Sequence, residues 1–140
     1  SLLKTAKELN TLIISAKDLE KESRNTPLQK IKKVLEDCDL FYLSICLDAF
    51  AAHIAPAVSA PQVCGIELKT ILPILELLFS SKKLISLDVV ELAPQYDQNQ
   101  ITAKLAASLI YNLLLAQGNN NHFYNRAQYT QAFLKKSPPA

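Results

Sequence analysis

Hydrophobic and polar positions along the chain follow two spacings, one typical of helices and one typical of buried strands. Helical spacing of apolar residues occurs in residues 1–9, 26–36, 67–80 and 101–113. Short apolar runs of strand type occur in residues 11–15, 40–47 and 84–90, and the last two favour strands buried on both faces. Helices and strands therefore alternate, and this order predicts an α/β fold with a parallel sheet of about three strands.

Residues that favour helix starts support two of these helices. Thr26 is suited to the N-cap, Pro27 to the first turn, and Gln29 to closing a capping box. Asp97 and Gln100 are placed to cap the helix that follows them. Both helices are therefore expected to begin at defined positions.

Three segments lack a regular period. Residues 16–25 are charged and predict a loop, while residues 49–65 predict a long loop of the kind that is usually functional. Pro73 lies either near the first turn of its helix or at a kink within it. Residues 117–140 are polar and predict a flexible tail, which leaves residues 1–116 as the folded domain.

Composition narrows the class of protein. The 140 residues are 49% hydrophobic, which fits one globular domain with a core of its own. Fifteen basic against thirteen acidic residues leave a net charge of +2, which argues against a nucleic-acid partner. Only two glycines occur, so a phosphate-binding loop and a dinucleotide fingerprint are excluded. The chain lacks methionine and opens in helical rhythm, so we expect it to be a fragment.

No targeting or membrane signal is recognisable. Charged residues interrupt the first fifteen positions, and no apolar stretch approaches the roughly 18 residues of a membrane span. Cys38, Cys46 and Cys64 form no closely spaced pair, which is typical of reduced cysteines. A cytoplasmic protein without a membrane partner is therefore expected.

Candidate chemistry lies just beyond two predicted strands. Asp48 follows the strand at 40–47 and Glu91 follows the strand at 84–90. Ligands of open α/β sheets bind beyond the carboxyl ends of the strands, so both carboxylates are expected at one pocket. Strand alternation places Cys46 on the side of Asp48. Such carboxylates suit a divalent cation or a cationic substrate, although solvated or helix-facing carboxylates would give the same pattern.

Four blocks of sequence, in this order and spacing, resemble the carboxyl-terminal part of the formimidoylglutamases, which belong to the arginase/agmatinase ureohydrolase family. The blocks are residues 42–48 (Tyr-Leu-Ser-Ile-Cys-Leu-Asp), 55–61 (Ala-Pro-Ala-Val-Ser-Ala-Pro), 88–94 (Asp-Val-Val-Glu-Leu-Ala-Pro) and 102–107 (Thr-Ala-Lys-Leu-Ala-Ala). The similarity runs from about residue 2 to residue 115 and would cover less than half of a family member.

The resemblance implies a fold, a reaction and a set of residue roles. It implies part of a three-layer arginase-like sheet, and two manganese ions that activate a hydroxide to hydrolyse N-formimidoyl-L-glutamate to glutamate and formamide in histidine breakdown. Asp48 would bind one ion, Cys46 stands where a family aspartate bridges both, and Glu91 would hold the amidine group of this small-molecule substrate. The resemblance is compatible with a homo-oligomer.

The chain departs from the family pattern at several positions. Cys46 replaces an aspartate, Ala57 replaces a glycine whose left-handed turn would strain an alanine, and Ala93 replaces an asparagine. The upstream histidine-containing ligand blocks are absent, and His53 and His122 are expected to be ordinary residues. We therefore expect no stoichiometric manganese and no hydrolysis by this chain alone.

Several functional hypotheses follow. The chain is part of a formimidoylglutamase-like metallohydrolase, or of another ureohydrolase, or it is a non-catalytic remnant or interaction module with the same fold. A nucleophile formed by Cys64 and His53 lacks an orienting third group.

The order of strands is a further expectation. Sequential strands usually lie side by side, which would pair 11–15 with 40–47. The resemblance implies that two other strands separate them, so we expect residues 11–15 to be unpaired with that strand, while 40–47 and 84–90 are parallel neighbours.

Overall fold

The computed structural model describes residues 2–21 and 25–119. Three helices precede the first strand, and helices and strands alternate, as the sequence predicts, only from residue 25 onward. The helices are α1 (Leu2–Glu8), α2 (Ala16–Lys21), α3 (Asn25–Asp37), α4 (Leu68–Phe79) and α5 (Ile101–Asn119), and the strands are β1 (Phe41–Cys46) and β2 (Leu84–Val90).

The two strands form a parallel sheet, as predicted. Tyr42 lies opposite Ser86, and the register continues to Cys46 opposite Val90 after an irregularity at Phe41. A parallel pair needs a crossover connection, and α4 lies in it. The prediction of an α/β fold is confirmed.

One core holds these elements together. It contains Leu47, Leu75, Leu84 and Leu109, which come from the end of β1, from α4, from β2 and from α5. Leu47 is 0% exposed. Burying such a side chain contributes roughly 1.5–3 kcal/mol, so this leucine fixes the chain where β1 ends.

The opposite face of the sheet is open, which corrects the prediction of strands buried on both faces. Tyr42 and Ser44 alternate with the core residue Ile45 along β1, and both are exposed. The core that covers β1 includes residues of α4 and α5, so within residues 2–21 and 25–119 only one face of the strand is well covered. An apolar run of sequence does not distinguish these two cases.

The predicted strand at 11–15 is absent, so the described sheet has two strands rather than about three. A strand is stable only when its backbone groups find partners on a neighbour. Among the described residues, no backbone hydrogen bond joins 11–15 to 41–46. The expectation that these segments are unpaired is therefore confirmed.

The predicted loop at 16–25 is also wrong, because α2 occupies its first part. The Ser15 hydroxyl accepts a hydrogen bond from the Asp18 N–H at 3.2 Å, and the Asp18 carboxylate accepts one from the Ser15 N–H at 3.1 Å. This reciprocal capping starts a short helix within a charged segment. The hydrogen bonds from Ser15 also lower the pKa of Asp18.

The ends of the other helices differ slightly from the predictions. α3 begins at Asn25, so Thr26 and Pro27 lie in its first turn. Pro73 lies inside α4. The buried Gln117 donates from Nε2 to the carbonyl of Phe79 at 2.6 Å, which joins the last turns of α5 and α4.

The segment at 117–140 was predicted to be a polar tail. Its first residues continue α5 to Asn119, and residues 120–140 lie outside the described residues. Within the part of the chain that is described, no helix is long and apolar enough to cross a membrane.

The predicted long loop is ordered by hydrogen bonds between its two ends. The Ile66 N–H donates to the carbonyl of Ala49 at 2.7 Å, and the Ala52 N–H donates to the carbonyl of Gln62 at 2.8 Å. Gly65 lies against the backbone of Phe50 and Ala51 in this arrangement. The loop therefore holds a fixed conformation beside the carboxyl end of β1.

Candidate active site at the carboxyl edge of the sheet

Asp48 lies in a short 3-10 turn, Leu47–Ala49, that follows β1 directly. Leu47 is fully buried beneath it, so the position of this turn is fixed by the core. One carboxylate oxygen of Asp48, Oδ1, is buried and has no hydrogen-bond partner among the described residues. A buried oxygen without a partner is rare, and it often marks a binding site.

Glu91 follows β2 directly and has an unusual backbone. Its φ is 71°, in the left-handed region that non-glycine residues seldom adopt. Such conformations persist only when the surrounding structure enforces them, and they cluster at functional sites. The exposed side chain of Glu91 accepts a short hydrogen bond from the hydroxyl of Ser59.

Ser59 is fixed by the residues that precede it in the loop. Val58 forms an antiparallel bridge with Leu92, and the Ala93 N–H donates to the carbonyl of Ala57 at 3.0 Å. The loop is therefore bonded to the residues just after Glu91.

The fully buried Thr102 at the start of α5 holds the same part of the loop. Its hydroxyl oxygen accepts a hydrogen bond from the Ala57 N–H at 3.0 Å. Two elements, the segment after β2 and the start of α5, thus position the residues that lead to Ser59.

The two predicted carboxylates meet at Ser59. Its hydroxyl contacts Glu91 and also lies 3.4 Å from Asp48 Oδ2. Asp48 and Glu91 therefore lie together at the carboxyl edge, as expected, and a pocket shared by them stays a prediction. Ser59 had no predicted role, although it lies inside one of the family-like blocks.

The prediction that strand alternation places Cys46 on the side of Asp48 does not hold. β1 ends at Cys46 and the chain then turns, so strand alternation does not extend to Asp48. The thiol is partly buried and not in a disulfide.

Ala57 does not have the strained backbone that its substitution for glycine suggested. Its φ is not positive, and the residue is fully buried between α5 and the segment after β2. The left-handed residue of this site is Glu91 instead.

The other candidate residues form no hydrogen bond or ion pair with Asp48 or Glu91 within the described residues. His53 Nε2 is 3.5 Å from Glu67 Oε1, and its side chain is well exposed. Cys64 is an exposed free thiol, and His122 lies outside the described residues.

A second polar cluster occupies the open face of the sheet. The carboxylate of Asp88 on β2 accepts hydrogen bonds from the hydroxyls of Tyr42 and Ser44 on β1, the latter at 2.6 Å. Both hydrogen bonds join β1 to β2 on the same face of the sheet. Sequence reasoning missed this cluster because it depends on the register of the two strands.

Asp97 caps α5, as predicted. Its carboxylate accepts hydrogen bonds from the N–H groups of Thr102 at 3.0 Å and Ala103 at 2.8 Å. Gln100, the other predicted cap residue, has a left-handed backbone with a φ of 57° and precedes the helix. Desolvation acts to raise the pKa of Asp97, but the hydrogen bonds from Thr102 and Ala103 outweigh it, and the pKa lies below its ordinary value.

This cap predicts a specific acid sensitivity. Because the pKa of Asp97 is lower in the folded protein, its stabilisation is complete above the ordinary value of 3.8 and is lost as pH falls through the folded value. Asp97→Asn keeps one acceptor oxygen for the cap but does not titrate. Urea unfolding at pH 7 and pH 3 measures this effect. Between pH 7 and pH 3, the free energy of unfolding should fall less for Asp97→Asn than for the wild type. Equal losses would contradict the capping role.

Comparison with known proteins identifies the family to which this chain belongs. The model of the Arginase family matches residues 2–116. The chain therefore belongs to the arginase family.

Formimidoylglutamases are among its curated relatives. The chain is 43% identical over 114 residues to the formimidoylglutamase of Legionella pneumophila (strain Paris) and 37% identical over 123 residues to that of Vibrio parahaemolyticus. These alignments cover 81% and 87% of this chain and 36% of each relative. The chain thus spans about a third of the length of the curated relatives it matches.

Solved structures show the same fold. An arginase from Bacillus subtilis matches with a TM-score of 0.72 and 27% identity over 79% of this chain and 40% of the other. The formimidoylglutamase from Bacillus subtilis subsp. subtilis str. 168 matches with a TM-score of 0.74 and 20% identity over 81% of this chain and 36% of the other. This last likeness concerns the fold alone.

The arginase family implies a binuclear metal site, and the described residues do not fit one by themselves. Asp48 Oδ1 is a free oxygen at the expected edge, but no group of three histidine, cysteine or acidic side chains within 2–21 and 25–119 is placed to hold an ion. Hard divalent cations require several oxygen ligands. A single carboxylate does not supply them.

Proposed function

We propose that this chain provides the amidine-binding edge of a formimidoylglutamase-like hydrolase. The placement of Glu91 beside Asp48, at the carboxyl edge of the sheet, carries the proposal. A carboxylate in this position suits a cationic amidine, because charge-assisted hydrogen bonds to planar N–H groups are strong and directional. The identity to curated formimidoylglutamases favours N-formimidoyl-L-glutamate, an intermediate of histidine breakdown, as the ligand.

Glu91 would hold the amidine group, and Asp48 would contribute one ligand to a manganese site completed by residues other than those described. Cys46, in place of the family's aspartate, would offer a soft thiol donor, which disfavours manganese. Hydrolysis to glutamate and formamide therefore requires more than the described residues supply. A cytoplasmic location follows from the proposed metabolic role and is part of the proposal.

Binding of N-formimidoyl-L-glutamate to the full chain, measured by calorimetry, tests this function. We expect binding by the wild type, and a loss of at least about tenfold in affinity for Glu91→Gln, because a charged hydrogen bond is replaced by a neutral one. Glu76→Gln changes an exposed carboxylate on α4 and serves as the matched control. Equal affinity of the two variants would contradict the role of Glu91.

Other ligands separate the alternatives. Tighter binding of agmatine or arginine than of N-formimidoyl-L-glutamate would indicate another ureohydrolase, and no binding of any of them would favour a non-catalytic module.

A metal assay tests the second part of the proposal. After incubation with manganese and dialysis, we expect less than stoichiometric manganese and no hydrolysis, and Cys46→Asp alone should not restore activity. Stoichiometric manganese dependent on Asp48 would contradict this expectation.

A further inference from the structure

Ser59 contacts both carboxylates of the site, those of Asp48 and Glu91. Its hydroxyl donates to Glu91 Oε2 and makes a long contact of 3.4 Å with Asp48 Oδ2. A serine hydroxyl has one hydrogen to donate, so the shorter contact to Glu91 takes the hydrogen. The longer contact places the same oxygen beside Asp48.

Glu91 needs such a partner to hold one orientation. Its side chain is exposed, and Ser59 is its one hydrogen-bond donor among the described residues. Two nearby carboxylates repel each other, and a free glutamate would turn toward solvent, away from Asp48. The hydroxyl between them opposes that rotation.

Ser59 itself is held firmly enough to act in this way. The residues just before it are buried, and Val58 is bridged to Leu92, the residue that follows Glu91. Ser59 and Glu91 are therefore carried by a short antiparallel contact between two segments. The left-handed backbone of Glu91, with a φ of 71°, lies in the same contact.

We propose that Ser59 is a positioning residue that orients the Glu91 carboxylate, beside Asp48, toward an amidinium ligand. The inference rests on the proposed amidine-binding function and assigns a role to a residue outside the predicted ligand set. It concerns orientation rather than contact with the ligand. The hydroxyl is required for this role, and a larger side chain that keeps the hydroxyl would satisfy it.

Two measurements on the full 140-residue chain test the inference. Three-bond couplings report whether the χ1 angle of Glu91 has one value or is averaged, and an acetamidinium titration followed by NMR reports binding. We expect one χ1 rotamer in the wild type, averaging in Ser59→Ala, and one rotamer again in Ser59→Thr. Acetamidinium affinity should fall about tenfold in Ser59→Ala, the loss of one well-placed hydrogen bond, and should recover in Ser59→Thr.

Ser108→Ala is the matched control, since Ser108 lies on the exposed side of α5. It should change neither measurement. Averaged χ1 in the wild type, or an unchanged rotamer and affinity in Ser59→Ala, would overturn the inference. An ordered Glu91 without acetamidinium binding would overturn the proposed function and the inference together, whereas an averaged Glu91 that still binds would overturn the inference alone.

Discussion

Gly65→Ala is expected to lower the free energy of unfolding by about 3 kcal/mol, the upper end of the range for overpacking. A Cβ atom at this position would lie 2.4 Å from the backbone nitrogen of Ala51 and from the carbonyl carbon and oxygen of Phe50. Contacts this short cannot be relieved by a side-chain rotation, because the neighbouring atoms belong to the backbone. The loop would have to move away from the end of β1.

The movement would break identifiable hydrogen bonds. Gly65 precedes Ile66, whose N–H and carbonyl bond to Ala49 and Ala51 at 2.7 Å and 3.1 Å. These bonds hold the end of the loop that contains Ser59 against the turn that carries Asp48. The substitution should therefore weaken the candidate site as well as the fold.

Gly118→Ala is the matched control for this substitution. Nothing lies within 4 Å of a Cβ at Gly118, which is in α5. Alanine favours helix over glycine by up to about 1 kcal/mol, so this variant should be neutral or slightly more stable. Urea unfolding of both variants gives the comparison, and equal stability of the two would refute the steric explanation.

The sheet could be predicted from sequence because its signals are local. The apolar runs of β1 and β2 are continuous, and the helical segment between them implies a parallel crossover. Residues 11–15 carry a similar apolar run, yet they do not form a strand. The difference lies in the presence of a hydrogen-bonding neighbour, which sequence periodicity does not report.

The candidate site could be predicted only in part. Asp48 and Glu91 follow strands directly, so their common edge was predictable from the direction of a parallel sheet. The place of Ser59 in the site was not predictable, because it depends on the bridge between Val58 and Leu92, which are distant in sequence. α2 was missed for another reason, since the capping by Ser15 and Asp18 lay within a charged segment that lacks an apolar period.

Thr102→Val is expected to lower the free energy of unfolding by about 1–3 kcal/mol, the range for leaving one buried polar group without a partner. The Thr102 hydroxyl is fully buried and accepts the Ala57 N–H at 3.0 Å. Valine has nearly the same shape but no oxygen, so the substitution removes the acceptor without creating a cavity. The Ala57 N–H would then remain buried and unbonded.

The substitution should also affect the candidate site, because Ala57 lies two residues before Ser59. Loss of the bond to α5 should loosen this part of the loop, and amidine binding should weaken together with stability. Thr102→Ser retains the hydroxyl and should keep most of both properties. Thr70→Val changes a half-buried threonine of α4 for which no side-chain hydrogen bond is described, and it should have little effect. Thermal unfolding of the three variants tests whether the Thr102 hydroxyl is the cause. If Thr102→Ser were as destabilised as Thr102→Val, the hydroxyl would not be the cause. Packing around position 102 would then explain the loss of stability.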